Sequence, residues 1–426
     1  MDFILPAGSG ERMQYLAHAF NDNTIRFVLR YLARLDRDAL RDAARAVAMS
    51  VDVLHASLCI RGNDMHWAVH DALDERDFFS CVDVPGDPAE CALKAALESI
   101  LPEKSRAQLR VVLVRGSDAD AIAVIVSHFC VDGGDGRYLL EKLCQAYRML
   151  RETGSAAALE IKNGSRRAEQ VYARVTRRQA LSLLHNPSTG IKSVFPYPTQ
   201  EAGERRIVFR TIGARTMAAA RARAKEAGAT VNDLLLTACY HAFAAAPGTD
   251  RNAPVSIMSM LDLRRHCVGG DSTGLSNLSG SLPTALRHGV CASFVDTLRD
   301  IAVQTAALKA DPLAGLMGMP LLHGAVRLFP LPLLLKAAPR VYGMMSVGLT
   351  NLGQFRGDAL ALDGCVPGAL YFAGPVKKKT GMQVSAASLD GACALCIAGE
   401  YTREDGKALA AFLEHMEAEI HAYAAG

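Results

Sequence analysis

A histidine and an aspartate four positions apart are the residues in this chain that could carry chemistry. They are His128 and Asp132, in the segment SHFCVDGG at 127–134. The histidine follows an apolar run typical of a buried strand, so its backbone is expected to be fixed, and the glycines from Gly133 onward leave room for a substrate. A neutral imidazole can accept a proton from a hydroxyl, an amine or a thiol at cellular pH. We interpret His128 as a candidate general base, or alternatively as a hydrogen-bonded turn residue. We expect Asp132 to turn back into the protein and to need a cation there.

Three further motifs could bind or transform a ligand. The basic run Lys377, Lys378 and Lys379 could bind coenzyme A phosphates or the acidic face of a carrier protein, or it could be a solvated hairpin turn. The segment GDSTG around Ser272 matches the G-x-S-x-G elbow of serine hydrolases, but polar residues flank it where that elbow needs a strand and a helix. The segment GGDG at 133–136 could bind a phosphate at a helix N-terminus. Because it lacks the lysine of a P-loop, a tight turn is the favoured interpretation.

The elements around the candidate base have the pattern of an α/β protein. Two strands joined by a turn are predicted at 109–114 and 121–127, and the second is apolar on both faces, as a central strand would be. A helix is predicted after Gly136, because leucines recur there at helical spacing. Residues 24–35 are expected to form a strand that leads into a helix capped by Asp36.

The second half of the chain restarts the same alternation. A length of 426 residues is compatible with two or three domains of roughly 150 residues each, and a polar segment rich in Gly and Pro divides the chain near its middle. The patterns after it predict a strand at 205–212, helices at 214–226 and 230–245, and a strand at 254–260. We predict an N-terminal subdomain at 1–165 with the histidine motif, a crossover linker at 166–205 and a C-terminal subdomain at 206–426.

Composition and charge exclude several classes of protein. Half of the residues are hydrophobic and 21% are charged, which is typical of a globular chain with a large core. A net charge of +3 leaves no electrostatic footprint for nucleic acid, so the expected partner is a small molecule or another protein. Eleven scattered cysteines, including the pair Cys393 and Cys396, indicate free thiols in a reducing compartment and no metal site.

Neither the N-terminus nor the most hydrophobic segment predicts membrane targeting. The N-terminus has an early aspartate and few apolar residues, which does not fit a signal peptide. The apolar segment 328–340 is interrupted by prolines and a lysine, so we expect a packed helix or a channel wall there. A cytoplasmic protein with no stable membrane insertion is therefore expected.

Several separated segments resemble the chloramphenicol acetyltransferase-like superfamily, which includes condensation domains of nonribosomal peptide synthetases, plant-type BAHD acyltransferases and wax ester synthases. SHFCVDGG is similar to the superfamily's H-H-x-x-x-D-G box. LDRDALRDAARAV at 35–47 resembles its first strand-to-helix passage, and 224–243 resembles its helix with a Thr-Val-Asn-Asp step. MLDLRRH at 260–266 and LTNLGQF at 349–355 look like its Asp-x-Arg stretch and its late Ser/Thr-Asn-x-Gly strand. Their order and spacing agree over most of the chain.

The resemblance implies two α/β subdomains of the chloramphenicol acetyltransferase type, with a tunnel at their interface. It also implies direct acyl transfer without a covalent acyl-enzyme. His128 would take the proton of the attacking acceptor, while Asp132 would hold the loop through an ion pair with Arg264. Asn351 would donate a hydrogen bond to the oxyanion, or it could be a strand-end turn residue. No tightly bound cofactor is implied, and acyl-CoA or a phosphopantetheinyl carrier protein would be the co-substrate.

The sequence departs from the superfamily pattern in two places. Ser127 replaces the first histidine of the doublet, and the Asp-Phe-Gly-Trp-Gly signature of plant-type enzymes is missing. With no carrier-protein or adenylation segment attached, a free-standing condensation or acyltransferase enzyme is expected.

We therefore predict an acyltransferase that forms an amide or an ester in natural-product or lipid biosynthesis. Its substrates would be an acyl thioester donor and a small-molecule acceptor, and an acyl or peptidyl carrier protein is a possible partner. Two alternatives stay open. One is a catalytically silent recruitment module with the same fold, and the other is a serine hydrolase that uses GDSTG.

Overall fold

The computed structural model describes residues 4–182, 190–267, 274–316, 319–342, 347–378 and 381–426. Its strands are β1 (Ile4–Pro6), β2 (Thr24–Tyr31), β3 (Ala56–Arg61), β4 (Asp64–Val69), β5 (Phe79–Asp83), β6 (Leu109–Arg115), β7 (Asp120–Ser127), β8 (Glu204–Ile212), β9 (Val255–Asp262), β10 (Ser279–Leu286), β11 (Val347–Phe355), β12 (Ala369–Ala373), β13 (Met382–Leu389) and β14 (Ala392–Tyr401). Its α-helices are α1 (Ser9–Ala17), α2 (Arg37–Ala48), α3 (Glu75–Phe78), α4 (Pro88–Glu98), α5 (Gly133–Thr153), α6 (Arg177–Ser182), α7 (Ala214–Glu226), α8 (Val231–Ala245), α9 (Phe294–Ala310), α10 (Met319–Leu328), α11 (Leu331–Tyr342) and α12 (Arg403–Ala425).

The first lobe is built on a five-stranded sheet in the order β12-β2-β7-β6-β5. The predicted strand pair is confirmed, since β6 and β7 are antiparallel neighbours with Leu109 opposite Val126. Every residue of β7 is buried. Alternate residues of β7 pack into two separate hydrophobic clusters, one that includes α4 and one that includes α2 and α5. β7 is therefore a central strand with a core on each face, as its apolar sequence predicts.

The helix that follows β7 begins earlier than predicted. α5 starts at Gly133, and the side chain of Asp132 caps it by accepting a hydrogen bond from the N–H of Asp135 at 2.9 Å. The expectation of a glycine turn before a helix at Gly136 was therefore wrong. An acidic N-cap with a second acid three residues later satisfies the free N–H groups of the first turn, and this outweighs the low helix propensity of glycine.

The second lobe is built on a six-stranded sheet in the order β10-β9-β11-β13-β14-β8. The predicted strand at 205–212 and the predicted helices at 214–226 and 230–245 are present as β8, α7 and α8. These elements share one hydrophobic core with α9 and α12. Cys393 and Cys396 are buried free thiols within β14.

One strand from the second half of the chain completes the sheet of the first lobe. β12 pairs antiparallel with β2, and Phe372 lies opposite Phe27. Residues of α10, α11 and β12 join the hydrophobic core of the first lobe. The C-terminal subdomain expected at 206–426 therefore contributes to both cores, and β12 connects the two halves by pairing in the sheet of the first lobe.

The apolar segment 328–340 forms the end of α10 and most of α11. Leu331 and Ala338 pack into the first lobe, whereas Leu328 and Leu333 are exposed. Among the described helices, none combines the length and the apolar character that crossing a membrane requires.

Because the ring of Phe372 stacks on Phe27 with 5.4 Å between centroids, we expect Phe372→Ala to lower the free energy of unfolding by about 3–5 kcal/mol. The measurement is urea unfolding followed by the fluorescence of Trp67, the single tryptophan, which is buried in the first lobe. The matched control is Val366→Ala, an exposed position just before β12, which should change stability by less than about 0.5 kcal/mol. Equal effects of the two substitutions would contradict the integration of β12 into the first lobe.

Candidate active site

The candidate base lies directly after β7, and its backbone is held from two sides. The N–H of His128 donates a hydrogen bond to the carbonyl oxygen of Asn23 at 2.7 Å. Its own carbonyl oxygen accepts a hydrogen bond from Nδ2 of Asn277, also at 2.7 Å. Asn23 immediately precedes β2 in the first lobe, and Asn277 lies just before β10 in the second. His128 is therefore fixed where the two lobes meet.

The imidazole of His128 has a defined tautomer. Its Nδ1 lies 2.7 Å from the carbonyl oxygen of Val131. Since a carbonyl oxygen only accepts hydrogen bonds, Nδ1 carries the proton and the lone pair of the neutral ring lies on Nε2. Burial lowers the pKa of His128, the charge of Asp132 opposes this, and the charge of Lys377 adds to the lowering. The ring is therefore neutral at pH 7, and the residue as a whole is partly exposed.

The carboxylate of Asp132 faces the second lobe. It is 2% exposed, and its Oδ2 accepts hydrogen bonds from Nη1 of Arg264 at 2.9 Å and from the N–H of Leu278 at 2.6 Å. Its Oδ1 caps α5. The residue after it is tightly packed as well, because a Cβ at Gly133 would lie 2.6 Å from Cδ2 of Leu352 in β11.

Arg264 binds a second buried carboxylate of the first lobe. Its Nη2 donates to Oδ1 of Asp135 at 2.6 Å, while Oδ2 of Asp135 accepts from the N–H groups of Ser276 and Asn277. Burial and the charge of Asp132 raise the pKa of Asp135 to about 7, and Arg264 opposes this rise. Burial alone would lower the pKa of Arg264, but its carboxylate neighbours outweigh burial and raise it. One guanidinium of the second lobe therefore joins two acids of the first.

Asn351 lies in an irregular part of β11. The strand pairing with β13 shifts between Asn351 and Gln354, and Gly353 has a φ of 75°. The side-chain oxygen of Asn351 accepts a hydrogen bond from the N–H of Gly353 at 2.9 Å. This contact orients the amide so that Nδ2 is left as a donor, and no described residue accepts from it. Among the described residues, no hydrogen bond joins Asn351 to His128.

The three lysines have different surroundings. Lys377 is partly buried, and its backbone forms bridges to Asn21 and to Gly399. Lys378 is exposed. Lys379 lies outside the described residues.

The remaining predictions concern the hydrolase motif, a metal site and the tunnel. Ser272 of the hydrolase motif lies outside the described residues. Within the ranges that the structure describes, no group of three or more His, Cys, Asp or Glu side chains could hold a metal ion. His128 lines neither of two cavities found among the described residues, one of which is lined in part by Arg26 and the other by Gln354. The tunnel between the lobes stays a prediction.

Solved structures match this chain over nearly its whole length, whereas no protein-family model and no curated protein matches it. The first condensation domain of the calcium-dependent antibiotic synthetase is 16% identical, with a TM-score of 0.72 over 100% of this chain and 97% of that one. This chain has the condensation-domain fold. The epimerization domain from the third module of tyrocidine synthetase B is 17% identical, with a TM-score of 0.68 over 100% and 99% of the two chains. Polyketide synthase associated protein 5 from Mycobacterium tuberculosis is 17% identical, with a TM-score of 0.67 over 97% and 96%.

The comparisons confirm the two-lobed fold of the chloramphenicol acetyltransferase-like superfamily that the sequence resembles. At 16–17% identity they establish the fold and not the reaction. The reaction must therefore be argued from the geometry around His128.

Sequence reasoning missed three residues that support this candidate site. Asp135 had a signal, because an acid three residues after Asp132 has the spacing of a capping box. Asn277 and Arg166 had none, since their role is visible only in the folded chain. Arg166 pairs with a glutamate of α1 and donates to the carbonyl oxygens of Phe129 and Cys130, at 2.8 and 2.6 Å. It holds the loop between His128 and Asp132.

We expect Arg264→Met to lower the free energy of unfolding by about 3–5 kcal/mol, because it leaves two buried carboxylates without their cation. The matched control is Arg265→Met at the next position. That side chain is exposed, and among the described residues it donates to the carbonyl oxygen of Lys309. Urea unfolding monitored by circular dichroism measures both variants. If Arg264→Met were no more destabilising than the control, the network would not hold the lobes together.

Proposed function

We propose that this protein is an acyltransferase that moves an acyl group from a thioester to an amine or hydroxyl acceptor. His128 would be the general base. The observation that supports this most directly is the hydrogen bond from Nδ1 of His128 to Val131. It places the lone pair of a neutral imidazole on Nε2, at a ring whose backbone both lobes hold. A neutral imidazole on a partly exposed residue can accept a proton from a bound substrate.

The proposed reaction balances without a cofactor. The acceptor nitrogen or oxygen attacks the thioester carbonyl as its proton moves to Nε2 of His128, which gives a tetrahedral oxyanion. The carbon–sulfur bond then breaks, the carbonyl re-forms, and the thiolate takes the proton from the imidazolium. The products are an amide or an ester and a free thiol.

Two further residues have proposed roles in this reaction. Asp132 is a positioning residue, since its carboxylate binds Arg264 and caps α5. Asn351 is proposed as the oxyanion donor, because Gly353 orients its amide with Nδ2 free to donate. The pantetheine arm of coenzyme A or of an acyl or peptidyl carrier protein would deliver the acyl group. Lys378, which is exposed, would be available to contact that anionic partner.

A panel assay tests the proposal against its alternatives. Acyl-CoA and acyl-carrier thioesters are combined with amines and alcohols, thiol release is followed, and products are identified by mass spectrometry. Thiol release that needs an acceptor and yields the coupled product supports acyl transfer. Release without acceptor that is lost in Ser272→Ala supports the hydrolase. Silence with every donor supports a recruitment module, and both of these outcomes overturn the proposal.

We expect His128→Ala to reduce kcat for thiol release by about 10² or more, because the base that accepts the acceptor proton is gone. The matched control is His288→Ala, at an exposed position in the second lobe, which should retain the activity of the unsubstituted chain. Circular dichroism spectra of both variants check that they fold. Full activity of His128→Ala would rule out the proposed base.

The pH profile of kcat/KM should have an acid limb below pH 6.5. Burial lowers the pKa of His128 below its usual 6.5, and a general base works only when it is unprotonated. Activity is therefore expected to be fully present above pH 6.5 and to be lost as pH falls through the lowered pKa. Initial rates at a low concentration of a hydroxyl acceptor, which does not titrate in this range, are measured from pH 4.5 to 8 in buffers of constant ionic strength and give the profile. An acid limb centred above pH 7 would contradict the electrostatics described for this ring.

A further inference from the structure

A cluster of cations surrounds one buried carboxylate beside the candidate active site. Asp22, which is 6% exposed, pairs with Arg26 on β2 at 2.5 Å. It also pairs with Arg205 on β8 at 2.9 Å. The third cation is Lys377, because the charge of Asp22 raises the pKa of its ammonium group. One carboxylate thus pairs with two arginines and acts electrostatically on a lysine.

Lys377 and His128 flank the same short segment of backbone. His128 donates its N–H to the carbonyl oxygen of Asn23, and Lys377 forms a backbone bridge with Asn21, two residues earlier. The charge of Lys377 is close enough to the imidazole to contribute to the lowering of its pKa. The ammonium therefore belongs to the surroundings of the proposed base.

The described residues do not balance the positive charge of this cluster. Both oxygens of Asp22 are engaged by the two arginines and by the N–H groups of Val376 and Thr24. No described residue accepts a hydrogen bond from the ammonium of Lys377. Burial lowers its pKa to about 8, and Asp22 offsets only part of this effect. Even with Glu400, which lies opposite Arg205 on β14, cations outnumber carboxylates by three to two.

We propose that Lys377 binds a carboxylate of the substrate inside the candidate active site, next to the group that His128 deprotonates. This inference rests on the proposed acyl transfer and narrows its substrate class. An uncompensated, partly buried cation is costly unless an anion joins it, and an incoming carboxylate supplies that anion. The phosphate of a pantetheine arm fits less well here, because many covalent bonds separate it from the reacting thioester, whereas the backbone of Lys377 bridges the same short segment that binds His128.

The carboxylate could belong to the acceptor or to the acyl group, and paired substrates distinguish the two sources. In the first arm, amino acids of increasing length are compared with amines of the same carbon count, and the donor is an acyl-CoA whose acyl group is uncharged. In the second arm, succinyl-CoA is compared with butyryl-CoA, using a neutral amine. The unsubstituted chain should prefer the carboxylate member of at least one pair.

Lys377→Met should reduce this preference, expressed as a ratio of kcat/KM values, by about 10-fold or more, since a hydrogen bond to a charged group is lost. Lys377→Arg should restore most of the ratio. Lys378→Met, at the exposed neighbouring position, should leave the ratio unchanged, because both members of a pair use the same coenzyme A. An unchanged ratio in Lys377→Met, or no preference in the unsubstituted chain, would overturn the inference.

A binding measurement keeps this test separate from the proposed reaction. Titration calorimetry with the same paired substrates is done on His128→Ala and on the double variant His128→Ala/Lys377→Met. Selective loss of binding for the carboxylate member in the double variant supports the inference even if no acyl transfer is found. Equal binding of both members in both proteins overturns it, even if acyl transfer is confirmed.

Discussion

The arrangement of the candidate active site depends on one guanidinium that faces two buried carboxylates. Asp132 and Asp135 lie in the first turn of α5, where neither could stay buried and charged without a cation. Among the described residues, the guanidinium that pairs with both acids is that of Arg264, which reaches across from the second lobe. The segment that follows Arg264 also provides N–H donors to both acids and the side chain of Asn277 to the backbone of His128. Lobe contact, helix capping and placement of the imidazole are thus parts of one electrostatic network.

This network separates the aspartate of the motif from the histidine. In a catalytic triad a carboxylate orients the imidazole, but here the carbonyl oxygen of Val131 does so. The basicity of His128 then follows mainly from its burial, with Asp132 and Lys377 acting in opposite directions at longer range. The ring is held in one tautomer without a strong ion pair, so it can be neutral before a substrate arrives and charged during the reaction.

Much of the fold was predictable, because it follows from periodicity and local capping. The strand pair β6 and β7 and the helix α7 were apparent in the sequence, and so was the cap of α2 by Asp36, since each depends on residues close in the chain. The start of α5 was missed, because two glycines concealed a capping box. β12, Asn277 and Arg166 depend on contacts between distant segments, which periodicity does not report. Lys377 and Lys378 look equivalent in sequence, and only the folded chain shows that Lys377 is partly buried whereas Lys378 is exposed.

The pairing of β12 with the first lobe affects when that lobe can fold during synthesis. Until residue 373 has left the ribosome, the five-stranded sheet lacks its outer strand, and the hydrogen-bonding edge of β2 has no partner in that sheet. The first half of the chain, made alone, would present that edge to other nascent chains and would invite association between them. Maturation of the first lobe is therefore a late event in translation, although most of its residues are made early.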